Sequence, residues 1–204
     1  MLVRGRYHVT NPVWSLLGQP TNATQSDIAV RSNADISGIN ALTDGAAFVT
    51  GVATAVAIPV EYGDIITKIS VFVGAAAEAT GTHAVAGLYS GIGVPALLGQ
   101  STDLTGATAV GPVNARFDFT LAAAQLVTPV NAPNGYIYAS VFVTATTQPT
   151  VGSYTVAAAV GYQWFTNAPL KMGGFTHGSA LTTVLPATIV SPTGQAVTPV
   201  YVLS

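Results

Sequence analysis

From Phe119 to Ser204 the chain runs 86 residues with one Lys, Arg, Asp or Glu side chain, Lys171. Over all 204 residues only 14 such side chains occur, or 7 %, against roughly a quarter in an ordinary globular domain. The missing charges are not replaced by large apolar residues. The chain holds 32 Ala, 26 Val and 26 Thr, with 21 Gly and 12 Pro. Val and Thr are stiff at χ1 and favour strands, whereas Gly and Pro punctuate turns. Small and β-branched residues without charge imply an all-β architecture with close, flat packing. A free monomer of this size would expose about 9,000 Å² of surface. Spread over it, the charges leave wide neutral areas, larger than the ~300–600 Å² apolar patches that monomers tolerate. Such a surface suits a protein built into an assembly.

The length fits one large β domain or one domain with an ordered arm. Half of the residues are hydrophobic and the formal net charge is -2, whereas disorder needs low hydrophobicity and high net charge. No cysteine is present, so disulfides and thiolate metal sites are excluded. The N-terminus, Met1 to His8, lacks the apolar core of a signal peptide. The charge-free stretch from Gly45 to Val60 is too short to span a bilayer and is broken by Thr50, Gly51, Thr54 and Pro59. No membrane span is expected. Nucleic acid is not expected as a partner either, because phosphate binding needs clustered Lys and Arg.

Two regions follow from the pattern. Residues 1–45 hold six of the 14 charges, Arg4, Arg6, Asp27, Arg31, Asp35 and Asp44; they read as an N-terminal arm and loops with at most one or two short strands. Residues 46–204 read as a β-sandwich domain. Val52, Thr54, Val56 and Ile58 share one face of an extended segment and Ala53, Ala55 and Ala57 the other. Pro59 ends that strand or restricts it to an edge. Over Asp64 to Val73, Ile65, Ile69, Val71 and Val73 fall on one face and Ile66, Lys68, Ser70 and Phe72 on the other. Further strands are expected over residues 83–90, 97–100, 114–121, 136–144, 154–165 and 197–203. Asn134-Gly135 is a turn signal, and Pro199 marks the last strand as an edge. Leu121 to Leu126 suits one helical turn. About eight strands with turns between them predict an antiparallel β-sandwich, jelly-roll-like.

Motifs of chemistry are sparse. Gly91-Ile-Gly93-Val-Pro-Ala96 carries the letters of a dinucleotide fingerprint, but no helix follows to hold a pyrophosphate, so it reads as a loop. His8, His83 and His177 are far apart and read as hydrogen-bonded histidines; no metal or cofactor is expected. No G-x-S-x-G elbow occurs. Glu61 and Asp64 are the closest acids, and they flank a Tyr-Gly turn rather than the cleft that glycoside hydrolysis needs. No catalytic residue is assigned. Tyr162, Trp164, Phe165 and Asn167 form the densest aromatic–amide group, suited to a core or subunit interface or to stacking on a glycan. Arg4, Arg6 and Trp14 suit anchoring of the arm on a neighbour, since Arg and Trp are favoured at interfaces.

One set of segments goes beyond composition. Asp64 to Gly74, Thr82 to Ser90, Pro95 to Asp103, Gly135 to Thr146, Leu185 to Pro192 and Pro199 to Ser204 together resemble a β-sandwich domain of minor tail or fibre-like virion proteins from tailed bacteriophages infecting actinobacteria. The resemblance covers roughly residues 60–204. It implies a non-enzymatic virion protein, associated with tail, baseplate or fibre, that assembles with copies of itself as a trimer or symmetric ring and with other tail or capsid proteins. A capsid decoration protein and a module binding a host-surface glycan are the alternatives it leaves open. Family members often carry long stalks before this domain, whereas only about 60 residues precede it in this sequence, which suits a compact module clipped on by its arm.

Overall fold

Alternation of β-branched and small residues predicts paired strands. In the computed structural model every strand pairing is antiparallel. The structure describes residues 31–33, 43–45, 48–106, 110–155, 174–195 and 197–204. Among these no helix occurs, and the chain is all-β.

A four-stranded sheet runs in the order β1 (Arg31–Ser32), β13 (Tyr201–Leu203), β4 (Ile65–Val73), β7 (Ala115–Leu126). A six-stranded sheet runs β11 (Thr193–Gly194), β10 (Phe175–His177), β3 (Ala53–Pro59), β8 (Tyr136–Thr147), β5 (Ala79–Tyr89), β6 (Leu97–Gln100). The third sheet is small, with β9 (Gly152–Thr155) between β12 (Val197–Pro199) and β2 (Thr43–Asp44).

One core cluster draws on both larger sheets. Val56, Ile58, Leu88, Ile137 and Val141 come from the six-stranded sheet, and Ile69, Val71, Phe119, Tyr201 and Leu203 from the four-stranded one. This is compatible with a β-sandwich. The six-stranded sheet is also buried on its other face. There Ala53, Ala55, Ala57, Val85, Tyr89, Tyr138, Phe142 and Phe175 pack with Leu185 and Ile189. The segment carrying those two residues is strapped down by backbone bonds from Leu97 N to Ala187 O (2.8 Å) and Ile189 N to Pro95 O (2.9 Å). Tyr89 Oη donates to Pro186 O at 2.7 Å. The alanines expected on the second face of β3 therefore lie beneath a covering layer, and their small size makes room for aromatic rings.

Several expectations need correction. Ile65 does not share the core face with Ile69. Register slips between Ile66 and Lys68, where Thr67 N and Lys68 N both donate to Ser204 O at 2.7 Å. Two successive amides on one carbonyl mark a bulge, and the extra residue turns the following side chains over. Ile66 is thus fully buried with Ile69, Val71 and Val73, while Ile65 is exposed. Leu121 to Leu126 forms no helical turn; it lies within β7, held there by pairing of Leu126 with Ile65 and Gln125 with Ile66. Of the two readings of Pro59, the structure bears out that it ends the strand, since β3 closes at Pro59 and lies between β10 and β8. The expected last strand is two. Pro199 closes an edge strand, β12, but after Val200 the chain crosses to lie between β1 and β4. Of the strand expected over 154–165, only its start falls on described residues, within β9.

The bulge makes a prediction that simple alternation reverses. Ile66→Ala should cost about 2–5 kcal/mol of stability, the range for emptying a buried site, and Ile65→Ala no more than about 0.5 kcal/mol. Urea unfolding of the two variants measures this; equal costs would contradict the bulged register.

Candidate functional site

The residues singled out from the sequence, Arg4, Arg6 and Trp14 in the arm and Tyr162, Trp164 and Asn167 in the aromatic–amide group, all lie outside the described residues, as does His8. What the structure does define is where the chain leading from the N-terminus joins the body. Arg31 on β1 forks onto Asp64, with Nε 2.8 Å from Oδ2 and Nη2 3.0 Å from Oδ1, and reaches Glu61 at 3.2 Å. The Asp64 hydrogen bond holds the Arg31 guanidinium above its ordinary pKa, against the opposing effect of partial burial. The two acids are placed by the Tyr62-Gly63 turn. Gly63 takes φ +96°, a value costly for residues with a Cβ, and Asp64 Oδ2 accepts the Glu61 amide at 2.9 Å. Glu61 and Asp64 are thus close, as the sequence suggests, and share one guanidinium. Two residues on, Asn33 Nδ2 donates to Pro199 O (2.8 Å) and Asn33 Oδ1 accepts from Tyr201 N (2.9 Å). The side chain bridges the break between β12 and β13.

This junction sits at one end of the strands, where uncharged side chains gather. Tyr62, Ile65, Ile92, Val94, Leu126 and Val130 are all exposed there. Their loops are tied together by hydrogen bonds from Gly63 N to Val127 O (2.9 Å) and Gly91 N to Asn131 O (2.7 Å). Ile65 lies directly opposite Leu126.

Two histidines elsewhere have side-chain partners, one pair half-buried and one buried. His83 Nδ1 lies 2.6 Å from Asp103 Oδ2. His177 Nε2 lies 2.8 Å from Ser140 Oγ, both residues buried. The His177 ring packs edge-on to Tyr89 at 5.3 Å. This serine–histidine pair was not foreseen, because β8 and β10 meet only across β3. Among the described residues His177 Nδ1 has no hydrogen-bond partner, so no third residue orients the ring there as it does in a catalytic triad. Among the described residues no three His, Asp or Glu side chains are grouped to hold a metal ion. The Gly91–Ala96 segment is a loop, as expected, and leads into strand β6. Gly91 is needed there because a Cβ would collide with the Tyr136 carbonyl oxygen, whereas Gly93 stands in open space.

Two outcomes follow. Gly91→Ala should destabilise the fold by about 1–3 kcal/mol through forced displacement of β8, and Gly93→Ala by less than about 0.5 kcal/mol, both read by urea unfolding. Burial pushes the His177 pKa down to about 4 from 6.5. The unfolded chain therefore binds this proton first as pH falls. Stability from the neutral ring is complete above about pH 6.5 and is lost as pH falls through 4, to a total of about 3 kcal/mol. His177→Gln should remove that pH dependence while keeping a hydrogen-bonding partner for Ser140. Glu78, whose pKa burial raises, acts in the opposite sense but equally in both proteins. Unfolding free energies measured across this range give the difference directly.

No protein-family model matches the chain, and comparison with curated proteins finds no match.

Proposed function

We propose that this chain is a non-enzymatic structural protein on the surface of a tailed-bacteriophage particle, associated with its tail, baseplate or fibre. In this reading the β body makes neutral contacts with copies of itself and with other virion proteins, and the N-terminal arm clips it to the particle.

The observation that carries the reading is the use of charge. Each of the nine Lys, Arg, Asp and Glu side chains among the described residues has a partner within the chain. Arg31 joins Glu61 and Asp64, and Asp118 joins Lys68 and Arg116. Asp103 holds His83, while Asp44 and Glu78 accept the backbone amides of Ala75 and Val110. The described surface therefore offers few charges, each already partnered within the chain, which suits recognition largely through neutral contacts, as at the cores of permanent assemblies. The junction at Arg31 supports the reading in one respect: it fastens β1, the first described strand, to the body through Asp64 and Glu61, and in this reading Arg4, Arg6 and Trp14 before it serve a neighbour. A capsid decoration protein would use the same neutral surface.

Mass spectrometry of particles made by the genome that encodes the chain tests the reading. The chain should be present in a copy number matching the symmetry of the tail, and its absence from particles would sink the proposal. A copy number matching the shell would move it to the capsid. The full-length variant Arg4→Ala/Arg6→Ala/Trp14→Ala should keep its β circular-dichroism spectrum and be lost from particles; normal incorporation would remove the role given to the arm.

A further inference from the structure

We propose that the outer edge of β7, from Ala115 to Thr120, pairs antiparallel with the same edge of a second copy about a two-fold axis at Phe117. The inference rests on the self-association proposed above and names its interface.

β7 ends the four-stranded sheet, and it is the one long strand at a sheet end among the described residues. It spans 12 residues, against two for β1, β2 and β11, three for β12 and four for β6. Exposed edges are ordinarily kept short, bulged, charged or interrupted by proline, because an open row of amides and carbonyls templates further pairing. The β7 sequence, Ala-Arg-Phe-Asp-Phe-Thr-Leu-Ala-Ala-Ala-Gln-Leu, contains neither proline nor glycine. Its second half is partly covered, through the bridge between Leu121 and Ser101. For its first half, Ala115 to Thr120, the described residues supply pairing on the β4 side alone.

The charges of that half are self-complementary. Arg116 and Asp118 lie on the outer face, paired at 2.7 Å, with Lys68 3.7 Å from Asp118. Antiparallel pairing centred on Phe117 sets Arg116 opposite Asp118 of the partner subunit and Asp118 opposite Arg116 of the partner subunit. The four charges then alternate in sign around a square. Centring on Arg116 or on Asp118 would instead put like charges face to face, which destabilises a sheet. On the inner face Phe117, already edge-to-face with Phe119 at 5.0 Å, would meet its symmetry mate, a favourable cross-strand aromatic pair. The product is one continuous eight-stranded sheet with an isologous interface.

Sedimentation velocity of the full chain tests this by charge reversal. The unmodified protein should form dimers or even-numbered assemblies. Arg116→Asp and Asp118→Arg, each alone, should weaken association by roughly tenfold or more, because acids then face acids or bases face bases. An equimolar mixture of the two variants should recover it, since the wholly acidic edge of one would meet the wholly basic edge of the other. Concentration-dependent protection of the amides of residues 115–120 in hydrogen exchange gives the same reading without any substitution. Association unchanged by either reversal, or no recovery from mixing two folded variants, would overturn the β7 interface while leaving self-association in place. A monomeric unmodified chain would overturn both.

Discussion

The constraint on which the rest depends is that the six-stranded sheet has to be buried on both of its faces. β3, β8 and β5 present branched aliphatic side chains to the four-stranded sheet and alanine with aromatics to the segment carrying Leu185 and Ile189. With both faces buried, every backbone amide there must be paired in the ladder or by a strap, since an unpaired buried group costs as much as a lost hydrogen bond. The sheet thereby dictates where polar side chains can go. Ser140 Oγ and His177 Nε2, both on strands of this sheet, pair with each other. Gly91 survives where the loop passes too close to Tyr136 for any side chain.

The same constraint explains how so few charges suffice. A body held by burial of apolar area, worth roughly 25 cal/mol per Å², leaves charge free for joining segments that burial cannot position. Arg31 fastens the first described strand to the turn before β4, and Asp103 fastens the loop after β6 to His83 on β5. Arg116, Asp118 and Lys68 lie on the outer face of β7, at the sheet end among the described residues, and of its neighbour β4. The end around Tyr62, Ile92 and Val130 exposes apolar side chains, and the β7 edge is the proposed site of strand pairing.

Much of the strand map was legible because a strand's side-chain period is short. Leu97–Gln100 lies where the pattern put it, and Asn134-Gly135 turns into β8, with Gly135 at φ +74°. Where the reading failed, a non-local contact overrode the local pattern. The bulge at Thr67 is set by Ser204, more than a hundred residues away, and reverses the roles of Ile65 and Ile66. Leu121 to Leu126 has helix-compatible residues but is claimed by pairing with β4 and a bridge to Ser101. The ionic junction was visible only as unconnected parts: Arg31 among the arm's charges, Glu61 and Asp64 around a turn. Nothing within a window of neighbouring residues links them across 30 positions.

By itself the sequence determined composition-level properties: an all-β chain, cysteine-free, with an 86-residue span that is almost without charge. These follow from residue chemistry that acts wherever the residue is placed. Tertiary structure alone decided which faces of the strands are covered, which isoleucine enters the core, that His177 meets Ser140, and that among the described residues β7 rather than the C-terminal strand is the long strand at a sheet end. Such outcomes depend on which distant strands become neighbours. That choice is made by burial and hydrogen-bond pairing summed over the whole chain, and no local pattern of residues contains it.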